Sequence, residues 1–276
     1  MVNLFVYIKI TRPVNILITY LVVLVAILIS QTRMMDIITY IFVPLSASLI
    51  AAAGNIINDI YDIETDKVSH PERVLVVGTM TIKSAWIYNF LLNASALFIT
   101  LFFIKSLFVI AVLTIVLLYF YSTHLQKLPL LGNITIAVLT AAAFIYGGLA
   151  AENVYDSIIP AVFAFMINLI RELVKDIQDI QGDSKIGYQT FPIRYGVLRT
   201  KKLIIALSVM LVLITLYPFF MQVYKIEYFI IIMLVVNPII IYLIKILLSE
   251  NDSIVKANVI LKLNMIAGLI AVYFGQ

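Results

Sequence analysis

Asn55-Ile-Ile-Asn58-Asp59-Ile-Tyr-Asp62-Ile-Glu64-Thr-Asp66 closes one long apolar stretch of the chain, and Glu172-Leu-Val-Lys175-Asp176-Ile-Gln-Asp179-Ile-Gln-Gly-Asp183 closes another. In the first, Asn55, Asp59, Asp62 and Asp66 are spaced 4, 3 and 4 apart. In the second, Glu172, Asp176, Asp179 and Asp183 repeat the same steps. Those steps follow one stripe of an α-helix, so each segment aims a column of oxygens in one direction. Each residue of the first column lies 117 positions before its counterpart in the second, as Asp59 does before Asp176.

The surroundings of the columns set the fold class. The chain has 276 residues, 63% apolar and 12% charged, with mean hydropathy +1.08. Soluble domains carry about 25% charged residues, so an ordinary soluble protein is excluded, as is a disordered chain. A membrane-crossing helix needs about 20 apolar residues. Nine such stretches are expected, at about 14–30, 37–58, 84–104, 107–122, 131–150, 158–175, 203–221, 227–248 and 257–275, with a weak break from Thr123 to Pro129. The runs lack barrel alternation, and open strands cannot span lipid, so they are read as helices. The fold class is therefore all-α and integral to the membrane, one polytopic domain over residues 1–276 around a central cavity. Gln31-Thr32-Arg33 after the first stretch, with no small-residue cleavage site, speaks against a signal peptide. The absence of cysteine excludes disulfides and thiolate chemistry.

Lys and Arg fix the expected orientation. With the N-terminus cytoplasmic, one side holds Lys9, Arg12, Lys67, Arg73, Lys83, Lys127, Arg171, Lys175, Lys185, Arg194, Arg199, Lys201, Lys202, Lys245 and Lys256. The other side holds Arg33, Lys105 and Lys225, and Lys262 falls within the last stretch. Four spans separate the two columns, so both are expected at the cytoplasmic boundary.

Carboxylates at these spacings repel one another, and they stand at helix C-termini where the macrodipole is already negative. Hard oxygen ligands without cysteine select Mg²⁺ or Ca²⁺. Mg²⁺ takes one or two carboxylates and completes its shell with water and substrate phosphate. A Mg²⁺–diphosphate clamp between two helices is the simplest account. The metal candidates are Asn55, Asp59, Asp62, Asp66, Asp176, Asp179 and Asp183, with Asp59, Asp62, Asp176 and Asp179 at the centre of the chemistry.

Asn58-Asp59-x-x-Asp62-x-x-x-Asp66 with Asp176-x-x-Asp179-x-x-x-Asp183 resembles the paired aspartate motifs of the UbiA-type intramembrane prenyltransferases, and the resemblance spans the chain. Within that family, Lys9-Ile-Thr-Arg12-Pro13-Val-Asn15, Tyr121-Ser122 to Leu131-Gly132-Asn133, and Arg171-Glu172-Leu-Val-Lys175-Asp176 look most like the archaeal-lipid branch. The family commonly reads Asn-x-Pro-x-Arg-Pro-x-Pro-x-Gly after the first motif. Here the segment is Ser69-His70-Pro71-Glu72-Arg73-Val74-Leu75-Val76-Val77-Gly78, which keeps Pro71, Arg73 and Gly78 but loses the Asn and two prolines.

The resemblance implies Mg²⁺-dependent transfer of a geranylgeranyl group from its diphosphate to the glycerol hydroxyl of geranylgeranylglyceryl phosphate, at the cell membrane. Lys67, Arg73, Lys127 and His70 are expected at the diphosphate, whose developing charge cations stabilise. A lipid-phosphate acceptor is expected at Lys9 and Arg12, before Pro13 at the first turn of a helix, with Asn15, Asn168 and Glu172 nearby. Tyr61 and Tyr121 are candidates to face a carbocation. Two other readings stay open: prenylation of an aromatic quinone precursor, and a cation transporter with parallel repeats.

Overall fold

The computed structural model describes residues 4–249 and 254–276, and among them every regular element is helical. In order these are α1 (Leu4–Ile10), α2 (Pro13–Ser30), α3 (Ile37–Tyr61), α4 (Ile63–Ser69), α5 (Val74–Val77), α6 (Ile82–Thr100), α7 (Lys105–Thr123), α8 (Leu131–Ala150), α9 (Tyr155–Lys185), α10 (Phe191–Tyr195), α11 (Val197–Phe220), α12 (Ile226–Ile231), α13 (Asn237–Leu248) and α14 (Ile254–Phe274). A π-helical turn, Ile232–Val236, joins α12 to α13 without a break, and a 3₁₀ turn, Leu125–Lys127, falls in the expected break after α7.

Among the described residues eight helices are long and apolar enough to cross a membrane. The expected third span is the exception. It forms α6, of 19 residues, but Lys83, Trp86, Asn89 and Asn93 dilute its apolar character. This helix packs along α3: Asn89 donates to the Ala53 carbonyl at 2.7 Å, and Ala96 shares a buried cluster with Ile50 and Ala111.

Two features place the acidic ends. α9 has 31 residues, about 46 Å at 1.5 Å per residue, against a hydrocarbon layer of about 30 Å. Its last turns, which carry Asp176 to Asp183, therefore extend past the apolar layer as helix. The first column differs from the expected unbroken stripe. α3 ends at Tyr61, and Asp62 sits at φ −96°, ψ 9° between α3 and α4. The spacing survives because Asp66 N–H still donates to the Asp62 carbonyl at 2.8 Å.

Small residues let the helices close around the site. A Cβ at Gly147 would stand 2.5 Å from the Ala26 Cβ and 2.7 Å from the Val23 carbonyl, so α8 touches α2 at backbone distance. A Cβ at Gly182 would meet Ser69 Oγ at 2.6 Å and the Thr65 carbonyl at 2.9 Å, which seats α4 directly on the acidic end of α9. At the opposite end of the bundle Arg33 pairs with Glu152 at 3.4 Å.

Candidate active site

The chain folds so that the two columns lie close together, and the first residue of each, Asn55 and Glu172, lines one cavity. α4 lies against α9, and His70, just past α4, places Nε2 3.4 Å from Asp179 Oδ1. Gln126, in the turn after α7, donates to Asp62 Oδ1 at 2.8 Å and lies 3.2 Å from the Tyr188 hydroxyl, beyond the end of α9. The cavity measures about 250 Å³, and Arg12, Asn15, Asn55, Tyr121, Asn168 and Glu172 are among its walls.

The carboxylates divide by partner. Asp59 is ion-paired with Arg12 and, at 3.4 Å, with Arg73; Asp66 is ion-paired with Arg73. Both acids are 3% exposed, so these are desolvated pairs rather than surface ones. By contrast Asp62 accepts from the amides of Asn58 at 2.7 Å and Gln126, and Asp176 accepts from Asn133 at 2.9 Å. Among the described residues no Lys or Arg comes within ion-pair distance of Asp62, Asp176 or Asp183. Burial, reinforced by Asp66, pushes the Asp62 carboxyl up to about 7. Burial also raises Asp66, with Arg73 opposing it. Tyr188 is pushed up to about 12, first by burial and then by Asp62.

Several expected contacts lie elsewhere. Arg12, expected at the acceptor phosphate, has a left-handed backbone, φ 56°, and a side chain bonded to Asp59. Lys9 donates to the Glu72 carbonyl at 3.1 Å instead of entering the cavity. Lys67 turns to the exposed face of α4, where it pairs with Glu64 at 2.6 Å. The Lys127 ammonium lies 5.6 Å from the Tyr188 ring centroid. Glu172 is held by Arg171 at 2.9 Å and Lys175 at 3.2 Å, and Asn168 donates back to the Ala164 carbonyl. Asn55 donates to the Thr11 carbonyl at 2.9 Å while lining the cavity. Tyr61 faces outward against Trp86 and Tyr119, whereas Tyr121 faces the cavity. Gly78, with φ +76°, closes α5 in a conformation glycine adopts without strain, which accounts for its survival where the prolines are lost.

The donor set fits a hard divalent cation. Among the described residues no three carboxylates or imidazoles converge tightly enough to enclose an ion unaided. Mg²⁺ takes one or two carboxylates and leaves the rest of its shell to water and substrate oxygens. Asp62 and Asp176, each bonded to neutral amides, and Asp183 are the column acids without an ion pair among the described residues.

The UbiA prenyltransferase family model matches residues 19–266. A digeranylgeranylglyceryl phosphate synthase of Sulfolobus acidocaldarius is 36% identical over 237 residues, 85% of each chain. A solved structure described as a digeranylgeranylglyceryl phosphate synthase in membranes superposes with a TM-score of 0.78 at 30% identity, covering 100% of this chain and 99% of the other. A UbiA homolog from Archaeoglobus fulgidus, solved with GPP and Mg²⁺, shares the fold at a TM-score of 0.66 and 21% identity, over 97% of this chain and 99% of that one.

Proposed function

We propose a specific reaction for this chain, which belongs to the UbiA prenyltransferase family: transfer of a geranylgeranyl group from geranylgeranyl diphosphate to the free glycerol hydroxyl of geranylgeranylglyceryl phosphate. The product carries the second ether bond of an archaeal membrane lipid. The observation that carries the reading is the approach of the two carboxylate columns beside a cavity that Asn55 and Glu172 line, with Asp62 and Asp176 bonded to amides rather than ion-paired.

Asp59, Asp62, Asp66, Asp176, Asp179 and Asp183, with the Asn55 carbonyl oxygen, are the residues that would hold Mg²⁺. The ion supplies charge neutralisation for a departing diphosphate. Arg12 and Arg73 fix Asp59 and Asp66, so the first column is ordered before substrate arrives. Asn133 and Gln126 orient Asp176 and Asp62 in the same way. The allylic carbon–oxygen bond breaks with its electron pair leaving on the diphosphate. The acceptor hydroxyl oxygen forms the new bond and loses its proton. Tyr121, on the cavity wall, offers its ring to the allylic cation.

The reading also takes α6 as a ninth crossing, because it runs beside α3 and returns the chain to the far side before α7. With nine crossings, 15 of the 19 Lys and Arg gather on the side of the carboxylates, and that side and the N-terminus are cytoplasmic. The deciding experiment presents the purified protein with labelled geranylgeranyl diphosphate and either geranylgeranylglyceryl phosphate or an aromatic carboxylate acceptor. Label in an ether lipid supports the reading; label in a prenylated aromatic alone overturns it.

A further inference from the structure

Lys262 lies about 12 Å along α14 from its first residue, inside a membrane helix, and its side chain borders the main cavity. A cation at that depth is costly and marks a functional position. Across the cavity stand Arg171 and Lys175, one helical turn apart on α9 and flanking Glu172, the first residue of the second column. Arg12, Arg171, Glu172, Lys175 and Lys262 all line this cavity. Among the described residues Lys262 has no hydrogen bond or ion pair, and the buried Nε of Arg171 has no hydrogen-bond partner. Glu172 is the one acid bonded within this group, which leaves Lys262 and the Arg171 Nε without a partner among the described residues.

α14 continues the argument. Lys262, Met265, Gly268, Leu269 and Val272 follow one face of the helix. The last four line a second, apolar cavity of about 70 Å³, which shares Val22, Thr140 and Met265 with the first. A Cβ added at Gly268 would meet no atom within 4 Å, so the helix borders open space there. A basic group therefore opens onto an apolar channel along one helix.

We propose that Arg171, Lys175 and Lys262 bind the phosphate of the acceptor lipid and that its isoprenoid chain lies along α14 past Met265 and Gly268. This rests on the lipid-phosphate reading above and adds to it a site that adjoins the carboxylate clamp on its cavity side. A phosphate monoester carries about −1.5 to −2 charge at neutral pH and offers acceptors to Lys262 and to the unpartnered Arg171 Nε. A diphosphate donor belongs with the carboxylates, where a divalent cation can bridge the like charges.

The test uses full-length protein in detergent, with geranylgeranylglyceryl phosphate as the probe. Thermal stabilisation by the acceptor alone and both Michaelis constants are measured for wild type, Lys262→Met, Lys262→Arg and Gly268→Leu. Lys262→Met is expected to abolish stabilisation by the acceptor and raise its Michaelis constant about tenfold or more, with the donor constant unchanged. Lys262→Arg should restore most of the effect, and Gly268→Leu should raise the acceptor constant by crowding the channel. A donor constant that rises instead, or a Lys262→Met protein indistinguishable from wild type with this acceptor, overturns the site and leaves the lipid-phosphate reading standing. A wild type that prenylates an aromatic carboxylate but not the glycerol phosphate overturns both.

Discussion

His70 Nε2 lies 3.4 Å from Asp179 Oδ1, so the loop after the first column of carboxylates is tied to the second. Gly182 makes that approach possible, because α4 rests on α9 at a point where a side chain would collide with it. The site is thus assembled by packing between two segments more than a hundred residues apart.

Gly182→Ala should therefore loosen the site. Its methyl would meet Ser69 Oγ at 2.6 Å, Thr65 Cγ2 at 2.8 Å and the Thr65 carbonyl at 2.9 Å. Overpacking of this kind costs about 1–3 kcal/mol. The expected outcome is a lower melting temperature and a larger proportional loss of turnover, since the columns separate. Ser69→Ala, which removes the Oγ, should recover part of both in the double variant. An unchanged Gly182→Ala protein would show that the columns tolerate separation.

Removal of the divalent cation should stop turnover. Asp62→Asn and Asp176→Asn replace the two acids that face amide donors, and each should lower the rate by about 100-fold or more. Gln126→Glu sets a like charge 2.8 Å from Asp62 and should be more damaging than Gln126→Ala. Diphosphate release is the measurement, with and without excess chelator. Full activity in chelator would eliminate the clamp.

Arg73→Met strands Asp66 and removes one of two cations from Asp59. Unpairing a buried carboxylate costs about 3 kcal/mol. The cation-free variant should melt well below the cation-free wild type. Added Mg²⁺ should stabilise the variant by more than it stabilises wild type, because it replaces the lost charge. Equal shifts in the two proteins would separate Arg73 from the metal site.

The carboxylate columns were legible because charge in an apolar helix is rare and its spacing reports the face it occupies. Helix positions followed for the same reason, and α6 departs from the rest because Lys83, Trp86, Asn89 and Asn93 offset its aliphatic residues. Neutral groups left no such trace. Asn133 and Gln126 hold Asp176 and Asp62, but an amide near a helix start or in a turn looks like any capping residue; the one signal was that both stand in the stretch from Tyr121 to Asn133. Lys262 was visible only as a charge inside the last span, with nothing in the sequence to show that α9 faces it. Lys67 illustrates the reverse: its neighbour Asp66 is buried, while its own side chain leaves on the exposed face of α4.

Arg12 gives the sharpest separation of the two substrates. Sequence position at the start of α2 suggests an anchor for the acceptor phosphate, yet the side chain is spent on Asp59, 47 residues away. Arg12→Gln should therefore act through the carboxylate clamp. Its expected signature is a rise in the Mg²⁺ requirement and in the donor Michaelis constant, with a smaller change for the acceptor. Arg12→Lys keeps the charge but not the planar fork, so it should fall between wild type and Arg12→Gln. Lys262→Met should give the opposite pattern in the same assay, with the acceptor constant moved and the Mg²⁺ requirement fixed. If Arg12→Gln raises the acceptor constant alone, Arg12 leaves Asp59 when substrate binds, and the acceptor phosphate sits at the head of α2.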